Sequence, residues 1–432
     1  MAESWFALSP EDQTEALAVA AAESGWPANL LEKDIWVVWA LQTLGTEPQL
    51  LETLTFKGGT SLSKAYGLIE RFSEDVDLTL DIQHLWPQVD LSPAVNPSQA
   101  GKRRKDADRK LKQWVREIPL PLLHRAAAAA GVTLELDLEQ PEAGRRQPPT
   151  IVIRYQPLIP APGNSSGYVR PTVRLEFGAH STGEPHGPMP ITCQAATHLA
   201  MLDFPAARPL VMDARRTFLE KAAAIHVACR RGRWGSGDGE RYSRHWYDLD
   251  RLARAGIAEE AIRDRSLAEE VAQHKKDFWG ATDADGQPIN YAQVINGELQ
   301  LVPTAAAREA LEADYRAMTD SGMLRGEIPS FPDLLERIAL LEQQCNAIGR
   351  TFALARPSQQ PPSAQAVQQP HGHDLQVNDV LANGRSWQAA SSSAVLVASP
   401  PLAAPYPTLD HPWVHPWREG KTISLSHVTT GL

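Results

Sequence analysis

Two carboxylates separated by one residue, Asp75 and Asp77 in Asp75-Val76-Asp77, have the type and spacing to do chemistry. On a strand, alternate side chains share a face, so both could reach the same divalent cations. Two Mg2+ ions ~3.5–4 Å apart can activate an attacking hydroxyl and stabilise a leaving pyrophosphate. That chemistry uses oxygen ligands and no thiolates. A lone Asp-x-Asp is common on solvated strands, so the preceding segment matters. Lys57-Gly58-Gly59-Thr60-Ser61-Leu62 places paired glycines between an expected strand and an expected helix. There the backbone can approach a ligand closely, and a helix N-terminus offers N–H groups to a phosphate. Thr60 or Ser61 can add a hydroxyl. A third carboxylate on a neighbouring strand would complete a metal site. Glu176, in Val173-Arg174-Leu175-Glu176-Phe177, fits best, its plainer reading being a surface salt bridge with Arg174 or Arg170. Asp137 is the reserve.

The elements that must hold these residues can be read from periodicity. Residues 75–80 alternate strictly, with Val76, Leu78 and Leu80 apolar, which predicts a half-buried strand. Residues 53–56 read as a short strand and 60–70 as a helix. Further strands are expected at 132–138, 151–155 and 169–177. Helices are expected from Ser9-Pro10-Glu11-Asp12 to Gly25, over 30–44, 102–117 and 122–130, and through most of 215–350. Strands mixed with helices, followed by a helical run, predict an α+β core and a helical C-terminal domain. The expected divisions are 1–50 (N-terminal helices), 51–214 (core), 215–352 (helical domain) and 353–432, a Pro-, Ser- and Gln-rich tail read as disordered. The tail carries His371-Gly372-His373 and a repeat containing His411 and His415, which read more simply as compositional accident than as a metal site.

Composition narrows the function. A chain of 432 residues with 43% hydrophobic and 22% charged residues is that of a soluble globular protein. No apolar run is long enough for a membrane span, and no basic segment precedes an apolar one as in a secretory signal. Three widely spaced cysteines fit a reducing cytosol and argue against a zinc site. The formal net charge of −10 predicts no general affinity for nucleic acid, so a polyanion would need a local positive patch. Residues 102–116 supply one candidate, with eight Lys/Arg and two Asp. A basic helix bearing Trp114 could follow a phosphate backbone, or simply be a solvated face.

The motif set resembles the AbiEii/AbiGii toxin family, which includes the MenT toxins and belongs to the DNA polymerase β-like nucleotidyltransferases. The likeness rests on Lys57 to Leu62 and on Arg71-Phe72-Ser73-Glu74-Asp75-Val76-Asp77-Leu78. It extends to Glu32-Lys33-Asp34-Ile35-Trp36-Val37, Thr217-Phe218-Leu219-Glu220-Lys221 and Arg244-His245-Trp246-Tyr247-Asp248-Leu249, covering roughly residues 25–260. The resemblance implies a polymerase β-like core, with catalytic roles for Asp75, Asp77, Lys221 and Asp248. It implies nucleotide binding by Lys57, Gly58, Gly59, Thr60, Ser61, Arg71, Ser73 and Lys221, and Mg2+ on Asp75, Asp77 and Glu176. Lys221 would contact the triphosphate, with Lys33 and Lys64 as competing donors. Asp248 would be a proton acceptor or a positioning group. From spacing alone, Lys221 reads as a solvated helix lysine and Arg244–Asp248 as an ordinary i,i+4 ion pair. The segment 230–239 between Lys221 and Asp248 reads as a loop over the site.

The function expected is that of a cytoplasmic nucleotidyltransferase toxin in a bicistronic toxin–antitoxin, abortive-infection (phage-defence) system. It would move NMP from an NTP to an acceptor, tRNA 3′ ends foremost, beside an antitoxin encoded by a neighbouring gene. The alternatives are a nucleotidyltransferase acting on a small molecule or protein, and a catalytically silent nucleotide-binding protein.

Overall fold

The alternating segment Asp75–Leu80 is a strand near the middle of a seven-stranded mixed sheet. This computed structural model describes residues 2–73, 75–92, 96–140, 147–159, 170–232 and 241–355. The sheet strands are β1 (Leu54–Lys57), β2 (Asp75–Leu80), β3 (Leu134–Leu138), β4 (Thr150–Tyr155), β5 (Thr172–Gly178), β6 (His186–Pro188) and β7 (Leu210–Met212). Their spatial order is β3-β4-β5-β2-β1-β7-β6. β2 runs antiparallel to β1 and parallel to β5. Val76, Leu78 and Leu80 on β2, with Val173, Leu175 and Phe177 on β5, are almost wholly buried on one face. The opposite face carries Asp75, Asp77, Arg174 and Glu176, all half-buried.

The main helices are α1 (Pro10–Ser24), α2 (Ala28–Leu44), α3 (Gly58–Lys64), α4 (Pro97–Glu117), α5 (Pro119–Ala129), α6 (Ala214–Arg231), α7 (Arg244–Arg254), α8 (Ile257–Arg263), α9 (Arg265–Phe278), α10 (Ala305–Asp320) and α11 (Phe331–Ala355). The expected start of α1 is present in detail. Ser9 Oγ accepts from the Asp12 N–H, Pro10 opens the first turn, and Gly25 closes the helix in the left-handed region. One hydrophobic cluster joins the sheet to α1, α2, α4 and α5, and a second joins the helices from α6 onward. The molecule is therefore α+β, with a mixed sheet, flanking helices and a helical C-terminal part.

The helix expected over 60–70 ends at Lys64, because the chain turns at Gly67, where φ is +61°. Trp114 does not face outward on the basic helix. It is half-buried, with its ring edge-on to Phe177 at 6.0 Å, because its side of α4 covers the sheet. The tail motifs around His371 and His411, Val169 at the start of an expected strand, Glu74, and residues 233–239 of the 230–239 segment lie outside the described residues. Residues 356–432 lie outside the described residues. Among the described residues no helix is long and apolar enough to cross a membrane. Cys193, Cys229 and Cys345 are all free and buried.

Candidate active site

The turn from β1 into α3 is shaped by what lies against it. Gly58 has φ +79°, and a Cβ there would stand 2.0 Å from Asp77 Oδ2. A Cβ on Gly59 would stand 2.3 Å from Arg71 Nη2 and 3.0 Å from Ser73 Oγ. Both glycines thus make room for polar groups delivered from other segments. Thr60 Oγ1 donates a short hydrogen bond to the Asp75 carbonyl, and Ser61 Oγ donates to the Gly58 carbonyl at 2.9 Å. Thr60 therefore ties the turn to β2, while Ser61 closes the turn on itself.

Strand register sets the carboxylates. Asp77 is paired with Lys57 across β1 and with Glu176 across β5, while Asp75 is paired with Arg174. Arg244, at the start of α7, donates from Nη1 to Asp75 Oδ2 at 3.1 Å. Arg174 Nε lies 3.4 Å from Glu176 Oε1 and 3.9 Å from Asp75 Oδ1, while its two Nη groups grip Glu139 at 2.7 and 2.8 Å. Burial raises the Asp75 carboxyl, but Arg244, Lys33 and Arg174 outweigh it and hold the group below its usual range. Burial and the neighbouring Asp75 push Asp77 upward, against Lys57, Arg244 and Lys221. Glu176 is pushed to about 7 by burial and by Asp77 and Asp75.

These carboxylates carry negative charge that the protein only partly answers. Asp75 Oδ1 is buried without a hydrogen-bond partner, and Asp77 accepts no side-chain hydrogen bond among the described residues. Orphaned oxygens of this kind suit a divalent cation. Asp75 and Asp77 fit such a role as they stand. Glu176 shares their face, but among the described residues no three His, Cys, Asp or Glu side chains are gathered closely enough to hold an ion. The Arg174 guanidinium sits beside both Asp75 and Glu176.

A second cluster adjoins the first. Arg71 grips Asp248 bidentately, Nε to Oδ1 at 2.7 Å and Nη2 to Oδ2 at 2.8 Å. Lys221 Nζ meets Asp248 Oδ2 at 2.9 Å and lies 3.3 Å from His245 Nδ1. Asp248 is wholly buried, yet the two cations hold its carboxyl far below the usual range. Burial lowers the Lys221 ammonium, helped by Arg71 and Arg244 and opposed by Asp248. The i,i+4 reading of Arg244 and Asp248 is corrected here: Arg244 turns to Asp75, and Asp248 serves Arg71 and Lys221. The solvated reading of Lys221 also fails, since this residue is buried.

Other candidates are placed elsewhere. Lys64 forms a short buried ion pair with Asp34, whose other oxygen accepts from the Gln194 N–H at 2.6 Å. Lys33 Nζ donates to the Arg170 carbonyl at 2.9 Å. Asp137 lies on the edge strand β3, exposed and paired with Arg154 at 2.7 Å, away from the other carboxylates. Lys57 Nζ approaches Glu220 Oε2 at 3.4 Å. Sequence reasoning missed Glu139, Arg216 and Lys275, which come here only through tertiary packing and carry no local signal, and gave His245 no role although it lies inside the Arg244–Leu249 motif.

A sheet that sets a glycine turn against paired aspartates, closed by basic residues from following helices, is an arrangement suited to nucleotidyl transfer. The family model described as "Nucleotidyl transferase AbiEii toxin, Type IV TA system" matches residues 39–337, and the chain belongs to that family. It is thus a nucleotidyltransferase toxin of a type IV toxin–antitoxin system, a class that implies an NTP substrate and an antitoxin partner. Among solved structures the chain is similar to MenT4, a nucleotidyltransferase toxin from Mycobacterium tuberculosis H37Rv. Identity is 17% and the TM-score 0.34, covering 79% of this chain and 99% of that one. No curated protein sequence matches.

Proposed function

We propose that the protein transfers a nucleoside monophosphate from an NTP to an acceptor hydroxyl, releasing pyrophosphate, with tRNA 3′ ends as the acceptor. The observation that carries this reading is the under-compensated pair Asp75 and Asp77 beside the Gly58-Gly59 turn. Asp75 and Asp77 would hold divalent cations, with Glu176 joining once released from Arg174. Bound there, Mg2+ would lower the pKa of the attacking hydroxyl and neutralise charge on the leaving pyrophosphate. Lys221 and Arg71 would bind the triphosphate, with Ser73 and the Gly58-Gly59 backbone alongside. Asp248 fits positioning better than proton transfer, because two cations stabilise its ionised form. Thr60 and Ser61 would act by fixing the turn.

In this reading residues 51–214 form the catalytic core, flanked by 1–50 and 215–352, with 353–432 as a tail. The toxin would act in the cytoplasm, in abortive infection, restrained by an antitoxin from a neighbouring gene. The test is incubation with each labelled NTP and total tRNA, with Mg2+ or with chelator. Label on tRNA that requires Mg2+ and disappears in Asp77→Asn is expected. Label on a small molecule or protein with untouched RNA would overturn the tRNA assignment. Induced expression should arrest growth for the wild type and not for Asp77→Asn.

A further inference from the structure

Beyond the aspartates lies a group of ionisable side chains with no place in the scheme above. Glu220, next to Lys221 on α6, turns the other way, since consecutive helical residues point ~100° apart. It is approached by Lys57 at 3.4 Å, Arg216 Nε at 3.5 Å and Lys275 at 3.8 Å. Arg216 also pairs with Glu270 at 2.7 Å. Three cations thus face Glu220 and Glu270, and one of them, Lys57, also stands beside Asp77. Several polar atoms here are buried without a hydrogen-bond partner: Arg216 Nε and Nη2, and both ring nitrogens of His274. Unsatisfied buried donors beside these cations suit an anion.

The group continues into an aromatic surface. Lys275 Nζ lies 5.5 Å from the ring centroid of Trp279, which is 45% exposed. His180 meets the same ring edge-on at 5.5 Å, and the Tyr291 hydroxyl donates to the Trp279 carbonyl at 2.6 Å. The indole is thus held in place while exposing nearly half its surface. The basic helix α4 adjoins it. Arg104 donates to the Phe278 carbonyl at 3.4 Å, and Asp108 is 2.8 Å from His180 Nε2. Lys102, Lys105, Arg109 and Arg116 are exposed at helical spacing along one side of α4. An exposed ring beside a cationic cluster and a basic helix has the features of single-stranded nucleic acid recognition.

We propose that Trp279, Lys275 and Lys57, with Arg216 buried behind them and His274 alongside, form the acceptor-strand subsite, which takes the single-stranded end of an RNA. A terminal base stacks on Trp279, the adjoining phosphate draws Lys275 and Lys57 from Glu220, and α4 follows the backbone behind it. This rests on the nucleotidyl-transfer reading. In-line displacement requires the incoming hydroxyl and the leaving pyrophosphate to be held apart. Lys221 and Arg71 occupy one such place. The cluster around Glu220 is a second, linked to the reacting centre by the strand pairing of Lys57 with Asp77.

The test is fluorescence anisotropy of a labelled short single-stranded oligoribonucleotide with the full chain, without NTP or metal. A duplex of the same length is the control, and NTP affinity is measured separately by calorimetry. Trp279→Ala is expected to weaken single-strand binding roughly 5- to 100-fold. Trp279→Phe should keep most of it, and NTP affinity should not move. Lys275→Ala should weaken binding and flatten its dependence on salt. Wild-type single-strand affinity in Trp279→Ala, or no single-strand binding by the wild type, overturns the subsite. So does loss of NTP affinity alone, which would assign Trp279 to the nucleotide base. If Trp279-dependent RNA binding is found without transfer, the subsite stands and the transfer reading fails. If transfer to RNA proceeds in Trp279→Ala with unchanged acceptor KM, the subsite fails and the transfer reading stands.

Discussion

At the scale of single residues, the site combines charges that oppose one another with charges that are matched. Burial and Asp75 push the Asp77 carboxyl upward, whereas Arg244, Lys33 and Arg174 hold Asp75 low, so Asp77 is the carboxylate that gains more from a bound cation. Asp77→Asn should therefore remove transfer by roughly a hundredfold or more, the scale of Lewis-acid assistance, while leaving the melting temperature unchanged or higher. A clear drop in melting temperature would show that Asp77 supports the fold instead. Lys221 poses a different question. Lys33 and Lys64 already have buried partners, an acceptor carbonyl and Asp34, whereas Lys221 shares Asp248 with Arg71. Calorimetry should find NTP affinity reduced about tenfold or more in Lys221→Ala, a loss typical of a charge-assisted contact, and only partly recovered in Lys221→Arg. Lys64→Ala should change stability and leave NTP affinity intact. The reverse pattern would give the triphosphate to Lys64. The aspartates and the paired glycines stood out in the sequence because their types and spacing are local. That Gly58 makes room for Asp77 and Gly59 for Arg71 was not legible there, since those neighbours arrive from other segments.

At the scale of elements, legibility followed periodicity. β2 and β5 were readable because a single buried face forces alternation of period two. The short strands His186–Pro188 and Leu210–Met212 offered three residues each, too few to show a period. The helix expected over 60–70 was overextended because its apolar spacing continues past Gly67 into packing that is no longer helical. α6 shows why a helix can mislead: it buries Arg216, Lys221 and His226 among its apolar residues. His226 has an acid-stability consequence. It is wholly buried, and its Nδ1 accepts from the Gln300 N–H at 3.1 Å. Burial, aided by Arg230, lowers its pKa from 6.5 to about 4. Above pH 6.5 both folded and unfolded chains hold it neutral. As pH falls from 6.5 to about 4, only the unfolded chain takes up the proton, so stability falls across that window. The loss is on the order of 3 kcal/mol for a shift of this size. Denaturant midpoints measured across the window should slope downward toward acid, and His226→Gln should flatten that slope while lowering stability at neutral pH. Parallel slopes in the two proteins would dismiss His226 as the cause.

At the scale of the whole molecule, the site lies where two hydrophobic clusters meet. The sheet cluster holds Val76 and Leu78 beneath the aspartates, and the helical cluster holds Phe218, Trp246 and Leu249 beneath Lys221 and Asp248. Arg71 crosses between them, carried by the segment that follows α3 and anchored on α7 through Asp248. No local pattern encodes a bond between residues 177 positions apart. That is why Asp248 read as a helix ion pair from spacing alone. The same bond gives Asp248 two separable duties. Asp248→Asn keeps the shape but leaves Arg71 and Lys221 buried without a counter-charge. Breaking one partner of a buried pair costs ~3–5 kcal/mol, so this variant should unfold at lower denaturant. Transfer should fall as well, because Lys221 and Arg71 lose their common anchor. The paired variant Asp248→Asn with Lys221→Met removes one of the stranded cations. It should recover part of the stability and none of the activity. If Asp248→Asn alone is as stable as the wild type, the bond does not join the two clusters, and Asp248 acts on the reaction alone.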